Sequence, residues 1–282
     1  MADLFQFPEV ETDRRQVTMF STPPPWKRDA QQARGLARRL GISGDVEDHG
    51  TTLVVRDGAG ALELFMASDS MRVTRWPAGR SEADGDIDLP EPSAAMAKGR
   101  GLLEELELAP EGLDTPSVAY SELARKDRRS GREVSGSVAI HVNYGFRLDE
   151  LPVVGPGAKV QITLGHGGSL LGAYRFWRKA RAGRTVGIIS AEVAMDRLCR
   201  DPAYAKLDAK TARVLIHDVR LAYYGLPPRE LQESLIPVYA FDGTVTTRQF
   251  PRYDFTRYVV AIDVEARDVK RVRMAQRLTP VF

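Results

Sequence analysis

LAYYGLPPRELQESLIPVYAFDG, residues 221–243, is the stretch whose reading decides the fold. LAYY closes one apolar run and LIPVYAF opens another. The connection GLPPRELQES is polar, holds two prolines and is too long for a tight hairpin turn. Strand, loop, strand is the reading that follows. Pro237 has no backbone donor, which places it at a sheet edge or a bulge.

Working outward, ARVLIHDVRLAYY and FTRYVVAIDV flank this core as further strands. Ser190 is placed to cap a helix over AEVAMDRLC. The same order recurs upstream. KRDAQQARGLARRLG (27–41) sets Ala30, Ala33, Leu36, Ala37 and Leu40 on one helical face, and TTLVVRD, ALELFMA and SMRVTRW follow as strands. SAAMAKGRGLLEEL (93–106) predicts a second helix, and SGSVAIHVNYGFRL (135–148), AKVQITLG and GSLLGAYRFW follow it. GLARRLGI (35–42) aligns without gaps on GLLEELEL (101–108), which reads as a repeat. The expectation is an α+β fold of antiparallel sheets with helices packed on one face, in three αβ units over 1–90, 91–185 and 186–282.

The region 186–264 resembles PepSY-like domains. The matching residues are Ser190 and Ala194 in the helix, Leu221 and Tyr223 at the strand end, then Ile236, Pro237, Tyr239, Phe241 and Gly243. Looser echoes cover 27–76 and 92–178. The resemblance implies a regulatory or inhibitory binding module without catalytic residues. That family is mostly extracytoplasmic or membrane-anchored, and here the chain departs from it. MADLFQFPEVETDRR shows no secretory signal, and no run of about 18 apolar residues is present.

Composition narrows the function. A 43% hydrophobic and 28% charged chain can bury a sizeable core. A formal charge of +2 gives no general drive toward nucleic acid. The basic clusters at Arg125–Arg132 and Arg175–Arg184 read as solvated hairpin ends, and SEADGDIDLPEP (81–92) as an exposed linker. One cysteine, Cys199, cannot form an internal disulfide, which suits a reducing compartment, and the cytoplasm is the expected location.

Catalytic motifs do not emerge. GHGGS (165–169) is better explained as a turn needing positive φ than as an oxyanion loop. GPGAKV and GAGALE lack the features of phosphate-binding loops. Four histidines at 49, 141, 166 and 217 show no helical pair spacing, so no metal and no cofactor is expected. His217 and Asp218 are adjacent on a strand and should face opposite sides, which prevents a relay. The aromatic and basic residues Arg175, Trp177, Tyr223, Tyr224 and Tyr239 are the candidate ligand-binding set, because Tyr and Trp beside arginine can line a groove for an extended peptide.

The expected function is non-catalytic binding of a peptide or protein segment, in an open groove or at a sheet edge. Such a protein could guide a precursor peptide to modifying enzymes or restrain a regulatory partner. The alternative is a cofactor-independent cyclase or isomerase. A homodimer is compatible with the pattern; a specific nucleic-acid or membrane partner is not expected.

Overall fold

β-branched and aromatic residues dominate the apolar runs, and they build strands that outweigh the helices. The computed structural model describes residues 4–10, 14–23, 29–68, 70–76, 87–110, 112–126, 133–205, 207–248 and 252–262. The chain opens with β1 (Phe5–Gln6), β2 (Gln16–Ser21) and α1 (Ala30–Arg39). β3 (Val46–Asp48), β4 (Thr52–Asp57), β5 (Gly60–Phe65), β6 (Ser70–Arg75) and α2 (Pro92–Glu105) follow. Next come β7 (Ser117–Lys126), β8 (Glu133–Tyr144), β9 (Arg147–Leu148), β10 (Leu151–Val154), β11 (Lys159–Leu164) and β12 (Leu170–Phe176). β13 (Arg181–Gly187), α3 (Ala191–Cys199), β14 (Arg213–Tyr224), β15 (Ser234–Thr246) and β16 (Tyr253–Val260) complete it.

Two eight-stranded sheets result. One runs β3-β4-β5-β6-β12-β11-β8-β7 and is antiparallel throughout. The other runs β13-β2-β15-β14-β10-β9, with β16 beside β15 and β1 beside β14. The α+β expectation is therefore corrected: the protein is mainly β, with 48% strand against 17% helix among the described residues. Pairing between distant segments joins strands from 46–75 with strands from 117–176 into one sheet.

Local signals placed the helices well. Asp29 and Gln32 form a reciprocal capping box at the start of α1, and the Ser190 hydroxyl accepts from Val193 N at the start of α3. α1 packs on β3 and β4, and α2 on β7, β8 and β11. Both lie over the same face of the first sheet, and both contribute to one core with Leu62, Val73, Val142 and Ile162. Phe20, Tyr223 and Leu235 of the second sheet enter that same core, so the sheets are joined through shared apolar packing. α3 covers the second sheet through Ala191, Ala194 and Leu198 against Tyr239 and Phe241.

One turn needed two glycines, as its sequence suggested. Gly167 and Gly168 take φ of 59° and 72° in a short 3-10 turn between β11 and β12. Pro237 sits inside β15, where β2 pairs with Ser234 and Leu235 and β16 pairs from Val238 onward. The missing donor falls in the gap between these two neighbours.

Candidate functional site

The five residues singled out from sequence do not form one surface. Tyr223 (0% exposed) lies in the shared core, edge-on to Phe20, and its hydroxyl donates to Thr18 O at 2.6 Å. Tyr239 (1%) lies under α3 and donates to Ile189 O at 3.0 Å. Tyr224 (4%) belongs to a third apolar cluster, packed on Tyr258. Trp177 is buried edge-on to Phe146. Arg175 is partly buried on β12, opposite Met71 and Val160. All three tyrosines are buried, so none of them lines an open groove. Burial drives the hydroxyls of Tyr223 and Tyr224 up to about 12, which is the signature of core side chains.

The connection after Tyr224 is also held from all sides. Arg178, itself buried, donates to Leu226 O at 2.7 Å, Pro227 O at 2.8 Å and Glu230 O at 2.7 Å. Gln232 accepts from Leu226 N at 2.9 Å and donates to Tyr224 O and Ser234 O. Ser68, from the turn after β5, donates to Pro228 O at 2.7 Å. These bonds make the loop a structural tie. Its outer rim, with Leu231 56% exposed, borders an open cleft of about 450 Å³ shared with Thr51, Met66 and Arg229.

β14 departs from plain alternation. The pairing with β15 shifts between Ile216 and Asp218, so His217 is the extra residue of a β-bulge. His217 Nε2 lies 2.6 Å from Thr244 Oγ1, while Arg220 bonds both Asp218 and Asp242. His217 and Asp218 thus bond to Thr244 and to the Arg220–Asp242 pair respectively, on the same face of β15, which corrects the expectation of opposite faces. The phase change from Val214 and Ile216 to Val219 and Leu221 is the sequence signal that could have revealed it.

A different surface was missed altogether. β7 is a ten-residue strand at the edge of the first sheet. Arg125 and Lys126, read as part of a turn, are its last two residues. β11 pairs with β8 only over Ile140–Tyr144, so the β7–β8 ribbon runs past the rest of the sheet from residue 139 outward. Tyr120 is 46% and Leu123 41% exposed on β7. Tyr120 pairs with Ile140, which places it on the core-facing side where the core has already ended. There an open cleft of about 460 Å³ lies between Tyr120 with Ser137 and the segment Ile87–Glu91 leading into α2. That segment is anchored, because Asp88 N donates to His166 Nδ1 at 3.1 Å and Gly167 N to Asp88 O at 2.8 Å. The weak alternation of SVAYSELARK explains why no strand was read there; the extra residue at the register shift, Val138, lies on β8.

On the opposite face of this sheet, His141 bridges two hydroxyls. Its Nε2 lies 2.7 Å from Ser121 Oγ and its Nδ1 3.0 Å from Thr163 Oγ1. Burial holds the imidazole below its ordinary value, and the charge of Lys159 adds to the effect. Among the described residues there is no cluster of three or more His, Cys, Asp or Glu side chains able to hold a metal ion. Among them, too, no helix is long and apolar enough to cross a membrane.

Comparison with known proteins adds little. No known protein family matches the sequence, and no curated protein matches it. A crystal structure of an uncharacterized protein from Eubacterium rectale ATCC 33656 is similar over 86% of this chain and 83% of that one, at 8% identity and a TM-score of 0.49. A likeness at that level carries no argument about function.

Proposed function

We propose that this is a non-catalytic binding protein that takes up an extended polypeptide segment along β7. One observation carries the reading: a ten-residue edge strand runs beyond its sheet, with Tyr120 exposed beside an open cleft and Leu123 exposed further along the strand. Edge strands offer unpaired backbone donors and acceptors, and proteins usually blunt them with charge, proline or a cover. The stretch Ser117–Leu123 has one charged residue, Glu122, and no proline. An added strand would satisfy the backbone groups, and the Tyr120 cleft would select a side chain. The PepSY-like resemblance of 186–264 points the same way, toward a binding module. Its ligand could be a precursor peptide or a regulatory partner, and a chain with one cysteine is suited to the cytoplasm.

The test is a photo-crosslinking residue at position 123, combined with amide exchange on the isolated complex. Capture of a polypeptide with slowed exchange along β7 supports the reading. A complex in which β7 exchanges as fast as in the free protein ends it.

A cofactor-independent enzyme is the second reading, and the Ser121–His141 contact of 2.7 Å favours it. A neutral imidazole beside a serine hydroxyl is the start of a nucleophile–base pair. Against it, among the described residues no carboxylate bonds His141, whose two ring nitrogens are taken by hydroxyls. A fluorophosphonate probe that labels Ser121, and fails to label His141→Gln, would move the balance to the enzyme.

A further inference from the structure

Resting on the reading of β7 as a strand-accepting edge, we infer that the segment it accepts carries a basic side chain, which enters the cleft between Tyr120 and residues 87–91. Among the described residues, the charge lining this cleft is one-sided. Asp88 and Glu91 line it and both are exposed, and no described lysine, arginine or histidine does. Among the described residues neither carboxylate has an ion-pair partner. Glu91 is the residue before α2, and its exposed side chain makes no capping bond.

The competing field is smaller. A helix N-terminus presents about half a positive charge, and two carboxylates outweigh it. The exposed ring of Tyr120 favours the same occupant, since an aromatic face attracts a cation. A lysine or arginine on the added strand would therefore meet two carboxylates and a ring, while its aliphatic stem covers Leu89 on the cleft wall. An acidic side chain there would meet repulsion. An apolar one would leave both carboxylates with water and gain only the ring.

The experiment uses the full chain and three synthetic peptides of about ten residues, matched to the strand length, rich in valine and threonine. They differ only in a central lysine, glutamine or glutamate. Binding is read by fluorescence anisotropy and its place by amide exchange on β7. The lysine peptide should bind about tenfold tighter than the glutamate peptide, the ratio one charge-assisted contact supplies. The preference should shrink with salt and vanish in Asp88→Asn/Glu91→Gln. Both residues are exposed, and circular dichroism confirms that the variant is folded. Equal binding of all three peptides, with β7 protected, overturns this inference and leaves the edge reading intact. If no peptide protects β7, the edge reading fails and this inference with it. If β7 becomes protected with rising protein concentration alone, its occupant is a second copy of the chain, and the inference is overturned.

Discussion

Arg178 has five donors on one planar group, and three backbone carbonyls of the 226–230 loop use them. Lysine could not reach all three from one point. Arg178→Met removes a buried donor set and leaves the carbonyls to find water. It should destabilise the fold by about 2–5 kcal/mol, measured as a lowered urea midpoint. Gly157 is the neighbouring constraint, since a Cβ there would stand 1.9 Å from Leu226 O. Tyr224 makes a similar point. At 4% exposure, Tyr224→Ala opens a cavity instead of trimming an interface, and a loss of about 3–5 kcal/mol is expected in the same assay. His141 governs a pH effect. Its folded value lies below its ordinary 6.5, so the unfolded chain binds the proton more readily. The associated stability is complete above that ordinary value and is lost as pH falls through the folded one. Urea midpoints compared between about pH 7.5 and about pH 5 should drop less steeply in His141→Gln than in the parent chain.

At the scale of elements, the bulge in β14 and the ribbon β7–β8 are the two departures from regular pairing that matter. Gly243 stands opposite Ile216 at the bulge, and a Cβ there would approach Leu215 O to 2.6 Å and the rings and methyls beside it to 3.0 Å. Gly243→Ala should therefore cost about 1–3 kcal/mol, read from thermal or urea unfolding, although alanine is otherwise the better strand residue. β7 behaves oppositely. Leu123 is largely exposed, and Leu123→Lys should change stability by no more than about 0.5 kcal/mol. The same change should abolish uptake of an extended segment, because edge lysine blocks strand addition. Loss of stability with binding retained would show that Leu123 belongs to the core. The Ser190 cap was legible because a cap is set by three or four consecutive residues. The bulge was half legible, as a change of apolar phase. β7 was not, because its outer residues pack on nothing and so leave no alternation to read.

The whole molecule joins two sheets through Phe20, Tyr223 and Leu235 on one side and the α1–α2 face of the first sheet on the other. A shared core implies shared unfolding. Phe20→Ala should lower the stability of both sheets together, by about 3–5 kcal/mol. Tryptophan fluorescence, to which Trp177 buried against Phe146 contributes, and far-ultraviolet circular dichroism should move in one transition. Two separated transitions would mean that each sheet holds its own core.

By itself the sequence determined the three helices of the described residues, the Ser190 cap of the last, the strand–loop–strand of 221–243 and the glycine turn at 167–168. It also excluded the familiar phosphate-loop motifs. Each of these depends on neighbours within a few residues, where capping, periodicity and φ act. Only the tertiary structure decided that strands 46–75 and 117–176 share one sheet, that the opening tyrosines are core, and that β7 is the open edge. Pairing partners and sheet order come from contacts across more than a hundred residues of chain. At that range a tyrosine destined for the interior and one destined for the surface have the same local pattern, and burial alone separates them.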